Sequence, residues 1–314
     1  MSELGGDYDD GVNVGGEAEE VGNEGSTTST EGIESMGSVS ETEISIGPGE
    51  TSSGMNQILE TPQTLEQAQR SVETYHTESI SQILENDGKY MEESDRARVA
   101  EGVDNIRAIP YNPYGGKTGT YSFRDGKSEI RISAVNETQM ERSTKHETNH
   151  FASKNREIIV PAPDRHGYTV YKTVGTHQQS WFHSAKTGEN FDYSEKGRGL
   201  NEGLTTMYTN QQLTELSEEK GQAARQQGIY EHTTELCTQL EAMVGEDTLK
   251  EAYYGGNLQA LEEKVNNLAG GKEYESLREA MDRTLSKDYA ERMQAMKDAQ
   301  AILEKMYENG GGKI

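Results

Sequence analysis

His146, Glu147 and His150 stand in the stretch TKHETNHFASK at 144–154, two histidines four residues apart with a glutamate after the first. On a helix, positions i and i+4 share a face, so both imidazoles can offer a nitrogen to one cation. Glu147 sits one step round, close enough to reach a water on that cation without being a ligand itself. Zinc takes nitrogen and carboxylate ligands and, where it catalyses, keeps one position open. It lowers the pKa of its bound water to about 7, and a neighbouring carboxylate then takes the proton as the water attacks a carbonyl. That is the chemical sense of His-Glu-x-x-His, a pattern that chance produces in about one of fifty chains of this composition.

A third ligand is needed, and LNEGLTTMYT at 200–209 offers one. Glu202 lies near a helix start, with Leu204, Met207 and Tyr208 on one apolar face. A helix packed by that face can direct Glu202 at the histidine pair. His166, His177 and His183 are alternative ligands, but they fall in turn or irregular segments. His76 and Cys237 lie within helical patterns and read as structural. Trp181 and Phe182 could line a substrate pocket or simply pack.

The elements that must position these residues follow from periodicity and punctuation. From about 56 to 106 apolar residues recur at three- and four-residue steps, which predicts helix. IPYNPYGGKTG at 109–119 breaks it with two prolines and adjacent glycines. TYSF (120–123) and SEIRISA (128–134), joined across Asp125-Gly126, alternate apolar and polar residues and predict a β-hairpin. Asn136, with Gln139 three residues on, can cap the helix that carries the two histidines. EIIVPAP and YTVYKTV, separated by DRHG, predict two further extended segments within 157–174. The stretch 175–199 reads as glycine-punctuated and irregular. Beyond it the pattern is helical to Met306, interrupted at Gly228, Gly245, Gly255-Gly256 and Gly270-Gly271. The economical fold class is α+β, a small mixed core flanked by helices.

Charge divides the chain. Residues 1–50 hold ten Glu and three Asp without one Lys or Arg, in a chain whose formal net charge is −25. With its Gly, Ser and Thr content, the segment 1–55 reads as a disordered acidic tail. Net charge of this sign, with no basic patch to offset it, argues against a nucleic-acid partner. No run of apolar residues is long enough for a membrane span. The N-terminus lacks the basic and apolar regions of a secretory signal, so the expected location is cytoplasmic, or outside by a route needing no such signal. The single Cys237 excludes an internal disulfide and a multi-cysteine zinc site. Nothing in the sequence speaks to oligomeric state.

HETNHF followed by LNEGLTTMYT resembles the zincin metallopeptidases of the gluzincin branch, especially bacterial members with an NEGLTE-type second motif. The run IYEHTTELCTQLEAMVGEDTLKEAYYGGNLQALEEKV resembles the helices that follow that motif, so the likeness covers roughly residues 118–268. The resemblance implies a zincin-like core: a small twisted sheet, the histidine helix and a glutamate helix. It implies zinc held by His146, His150 and Glu202, with Glu147 as general base. Such proteins usually add a Tyr or His that hydrogen-bonds the oxyanion. Tyr230 and His232, at the start of the next helix, are the candidates, with packing the plainer role for each. The branch with a third histidine uses a short spacing after the first motif, and HFASKNREIIV offers no His or Asp there.

Two departures stand out. Many gluzincins have an acidic residue four positions after the ligand glutamate, orienting a histidine; this chain has Thr206, whose hydroxyl could accept an imidazole N–H without adding charge. Thr148 and Asn149 are more polar than is common inside the motif. The implied domains are the tail (1–55), an N-terminal helical segment (56–108), the zincin-like core (109–226) and a C-terminal helical subdomain (227–314). The expected activity is zinc-dependent hydrolysis of peptide bonds in a peptide or protein substrate, which pairs along SEIRISA as a sheet edge. The alternatives are a non-catalytic zincin-like scaffold and a delivered effector or toxin whose protease domain has one protein target.

Overall fold

Thr64 opens the first helix. Its hydroxyl accepts from the Gln67 amide while the Gln67 side chain accepts from the Thr64 amide, a capping box that satisfies two orphan donors. The computed structural model describes residues 64–111, 118–226 and 230–310, without the side chains of 224–226. The expected acidic tail lies outside those residues. Helix α1 (Leu65–Asp87) buries Ala68, Val72, His76 and Ile83 at helical spacing. After α2 (Glu93–Glu101) come three strands, β1 (Asn105–Pro110), β2 (Gly119–Arg124) and β3 (Lys127–Ala134).

The β2–β3 hairpin is the one its sequence predicts. Asp125 and Gly126 both take positive φ, 51° and 72°, the geometry that makes Asp-Gly a two-residue hairpin turn. Tyr121 faces Ile130 across the register, and both are buried. Two expectations need correction. Helix was expected to about 106, yet Asn105–Pro110 is a strand parallel to β3. The strand order is therefore β1-β3-β2, which makes SEIRISA the central strand and leaves β1 and β2 at the edges. A six-residue strand closing on Pro110, paired with residues 24 positions away, leaves little local signal.

Helix α3 (Glu137–Ala152) carries the two histidines. Asn136 Oδ1 accepts from the Gln139 amide at 2.9 Å, the cap its sequence suggests. The helix lies against α1, β2 and β3 and is buried on every side from Met140 to Ala152. Polar residues in such a place need partners, and the polar positions inside the motif have them. Thr148 Oγ1 lies 2.9 Å from His76 Nδ1. Asn149 donates to the Lys145 carbonyl and accepts from Tyr254 O–H at 3.1 Å. His76 has the structural role its setting suggested, and burial keeps it neutral by lowering its pKa to about 4. At the C-terminal end of α3, Arg98 and Asn155 donate to the carbonyls of Phe151 and Ser153.

Four antiparallel strands follow in simple succession: β4 (Asn155–Ala162), β5 (Gly167–Val174), β6 (His177–Ser184) and β7 (Asn190–Lys196). The first two are the expected pair, turning at DRHG. The other two correct the irregular reading of 175–199. Every residue of β7 is exposed, so no apolar alternation marks it, and its place is set by backbone pairing with β6.

Helices α4 (Arg198–Leu216), α5 (Glu218–Gln226), α6 (Glu231–Val244), α7 (Glu246–Tyr253), α8 (Leu258–Ala269), α9 (Tyr274–Arg283) and α10 (Tyr289–Asn309) complete an α+β fold of ten helices and two small sheets among the described residues. The expected breaks at Gly245, Gly255-Gly256 and Gly270-Gly271 fall between helices; Gly228 lies outside the described residues. The start of α4 is held by α9: the Asp282 carboxylate accepts from the Gly197 and Gly199 amides at 2.8 and 2.7 Å, an acidic cap on the positive end of the helix. Further along α4, a Cβ on Gly203 would lie 2.5 Å from Cys237 Sγ, so only glycine lets α6 approach this closely. Cys237 is buried there as packing. No helix among the described residues is long and apolar enough to cross a membrane.

Candidate metal centre

Helices α3 and α4 bring His146, His150 and Glu202 together. His146 Nε2 lies 3.3 Å from Glu202 Oε2 and 3.2 Å from His150 Nε2, and His150 Nε2 lies 3.4 Å from Glu202 Oε1. All three residues are buried, and Glu202 Oε1 makes no hydrogen bond. Among the described residues this is the one group of three or more His, Cys, Asp or Glu side chains whose donor atoms converge as a metal site requires.

The charges suit a cation. Burial lowers the pKa of His146 to about 4, so its ring is neutral near pH 7 and its nitrogen lone pair is available. Burial pushes the Glu202 carboxyl up, but His150 and His146 outweigh that and hold it well below the usual carboxylate range. The result is a buried carboxylate facing two imidazoles, a donor set that a metal ion would complete.

Spacing gives a sharper test of fit. Zinc binds nitrogen and oxygen ligands at about 2.0–2.1 Å in tetrahedral sites, and the edge of such a tetrahedron is about 3.3–3.4 Å. The two Nε2 atoms lie 3.2 Å apart, and each faces its own oxygen of Glu202, Oε2 at 3.3 Å from His146 and Oε1 at 3.4 Å from His150, so each facing pair stands at about that edge length. Two imidazoles and one carboxylate fill three corners and leave the fourth for water or substrate. The donor set and its dimensions fit zinc.

The orientation of His150 is held from α4 and α7. Thr205 Oγ1 lies 3.3 Å from His150 Nδ1, donates to the Asn201 carbonyl and lies 2.7 Å from Tyr253 O–H. Asn201 Nδ2 also lies 3.3 Å from His150 Nδ1, so the hydroxyl and the amide together hold the ring with its Nε2 toward His146 and Glu202. Tyr121 stacks on the same ring, with centroids 6.5 Å apart and planes at 11°. The expected role for Thr206 is not met: its hydroxyl is buried and makes no hydrogen bond. The orienting hydroxyl comes from the preceding residue. Thr205→Val keeps the shape and removes the hydroxyl; zinc affinity, read by competition with a calibrated chelator, is expected to fall about tenfold to a hundredfold. Unchanged affinity would remove this contact from the metal site.

Glu147 lies on α3 against the start of β2, so close that a Cβ on Gly119 would be 2.8 Å from its Oε1. Tyr230, the residue just before α6, stacks on His146 with ring centroids 6.1 Å apart and planes at 17°. His232, two residues on, is exposed. Two positions at a helix start point to nearly opposite sides, so the structure brings Tyr230 to the cluster and leaves His232 outside it.

The other candidates lie elsewhere. His166 caps a turn with positive φ, His177 pairs with Glu195 at 2.7 Å, and His183 lies 2.9 Å from Asn190. Trp181 lines a cleft of about 150 Å³ on the second sheet together with Arg124, Glu157 and Tyr168, none of them residues of the metal cluster. Phe182 is buried beneath the Arg165 guanidinium, 3.9 Å from its ring centre.

Asn201 and Thr205 flank Glu202 in the same short stretch, so a helical wheel drawn on that stretch could have found them. Tyr253 has no local signal and reaches the site through the fold alone. No family model, no curated protein and no solved structure matches the chain.

Proposed function

We propose that this chain is a zinc-dependent peptidase with a zincin-like core of the gluzincin kind. The observation that carries the proposal is the buried convergence of His146, His150 and Glu202 donor atoms, whose facing pairs lie 3.2–3.4 Å apart, close to the edge of a tetrahedral zinc site. Those three residues would hold the ion. When bound, zinc supplies a Lewis acid for a carbonyl and a water that ionises near neutral pH.

The remaining chemistry belongs to the chain. Glu147 takes the proton of the attacking water and returns it to the leaving amine as the peptide bond breaks. Tyr230, whose ring stacks on His146, would donate its O–H to the oxyanion that forms on the carbonyl. The strand for the substrate is β2, at the sheet edge and beginning beside Glu147; an extended peptide adds to it through backbone hydrogen bonds. β3, already paired on both sides, cannot serve.

Metal analysis of the purified chain, followed by a peptide-library digest with metal-free and zinc-loaded protein, tests the proposal. Zinc-dependent cleavage is expected, and a zinc-loaded chain that cleaves no peptide would overturn it. The placement of the base has its own test. Gly119→Ala would put a methyl 2.8 Å from Oε1 and 3.0 Å from Cγ of Glu147, moving the carboxylate off its position. We expect kcat/KM to fall about tenfold to a hundredfold with zinc content retained. Wild-type turnover in that variant would separate Glu147 from the β2 edge.

A further inference from the structure

Arg142 stands one helical turn before His146, so Arg142, His146 and His150 follow one another along a single stripe of α3. Its side chain is only 4% exposed. Among the described residues it makes no hydrogen bond and no ion pair, and its Nε is buried without a partner. Its positive charge acts on His146 and on Tyr230, the two rings that stack at 6.1 Å. The guanidinium is thus held at the side of the metal cluster where Tyr230 enters.

Other buried cations of this chain are treated differently. Arg278 is just as buried but donates to Gln178 and Glu275. Lys145, on the next turn of α3, donates to Gln82, and Lys250 pairs with Asp87. Burial lowers the pKa of Arg142 to about 10, so it remains charged at neutral pH. A guanidinium buried to this degree without a counter-charge is costly, and such groups concentrate where a ligand completes them.

Resting on the peptidase reading above, the geometry points to Arg142 as the residue that receives a carboxylate of the substrate and selects peptides carrying one close to the bond cleaved. A guanidinium fork matches a carboxylate with two parallel hydrogen bonds. Four residues of helix advance about 6 Å, and an extended peptide advances about 3.3 Å per residue. The recognised carboxylate therefore lies within about two residues of the scissile bond. Peptides carry that group on Asp and Glu side chains and at the C-terminus. The chain's net charge of −25 opposes general attraction of acidic peptides, so any preference for them must arise at a local cation.

The test uses the full zinc-loaded chain, as wild type, Arg142→Gln and Arg142→Lys. The probes are paired peptide libraries with Asp and Glu, or Asn and Gln, at the variable positions, each with a free or an amidated C-terminus. Cleavage is measured on these proteins; equilibrium retention of the same peptides is measured with Glu147→Gln and with Glu147→Gln/Arg142→Gln. We expect the wild type to favour the acid-bearing peptides by about tenfold or more, and Arg142→Gln to bring that ratio near unity. Arg142→Lys, which keeps the charge without the fork, is expected between them. Loss of the preference on amidation assigns the terminal carboxylate; its persistence on amidated peptides assigns the side chains. Cleavage without acid preference overturns the role of Arg142 and leaves the peptidase standing. Acid-selective retention without cleavage supports the carboxylate site and overturns the peptidase. Absence of both cleavage and acid-selective retention overturns both. A wild-type ratio in Arg142→Gln also overturns the inference, and if that variant does not fold, an unchanged ratio in Arg142→Lys does so.

Discussion

Glu147→Gln is expected to lower peptide hydrolysis by about a hundredfold or more while zinc stays close to stoichiometric. A general base is worth about a hundredfold to ten-thousandfold, and glutamine cannot accept the proton. The substitution keeps the side chain's volume where it meets Gly119, so packing beside β2 is maintained and the three metal-facing atoms are untouched. Zinc by metal analysis and turnover on one cleavable peptide, measured on the same preparation, separate the two effects. Wild-type turnover in a zinc-replete variant would sink the assigned mechanism; loss of zinc together with activity would show that Glu147 supports the metal site instead.

Glu202→Ala is expected to reduce zinc affinity by orders of magnitude, because it removes the one carboxylate and leaves only the two imidazoles. His166→Ala, His177→Ala and His183→Ala retain the metal, since each of those residues is engaged elsewhere in the fold. Glu202 is fully buried, so the alanine variant also leaves a cavity. Glu202→Gln keeps the volume and isolates the loss of charge, and a smaller but clear fall in affinity is expected there. Chelator competition places all these proteins on one scale. Unchanged affinity in Glu202→Ala would remove the gluzincin assignment.

What the sequence made legible is what local chemistry marks. Asn136 and Gln139 announce the start of α3, and the spacing of His146 and His150 then fixes their common face. Asp125-Gly126 announces the β2–β3 turn. Glu202 was found because its own helix has an apolar face at Leu204, Met207 and Tyr208, all buried in the structure. Long-range pairing left no such marks. β1 is short and pairs with a strand from beyond the β2–β3 turn, and β7 is polar and exposed throughout. The first of them changes the proposed function in one respect: with β1 in place, the substrate edge passes from β3 to β2.

The second layer of the site shows the same division. The spacing rule that singled out Thr206 locates the right turn of α4 but not the right hydroxyl. The choice between Thr205 and Thr206 depends on how α4 rotates against α3, and that is set by Gly203 against Cys237 and by Asp282 at the helix start. None of these contacts is local to the motif.

The placement of the three candidate ligands on two helices has a mechanical consequence. His150 and Glu202 are separated by the whole of the four-stranded sheet in sequence, so a cation gripped by both is a reversible cross-link closing a long loop. Such a link lowers the entropy of the open chain, and its effect grows slowly with loop length. A bound ion stabilises only the state in which α3 and α4 are docked. The metal would thus act as a clasp between the two helices, slowing local opening there and shielding the intervening strands from proteolysis.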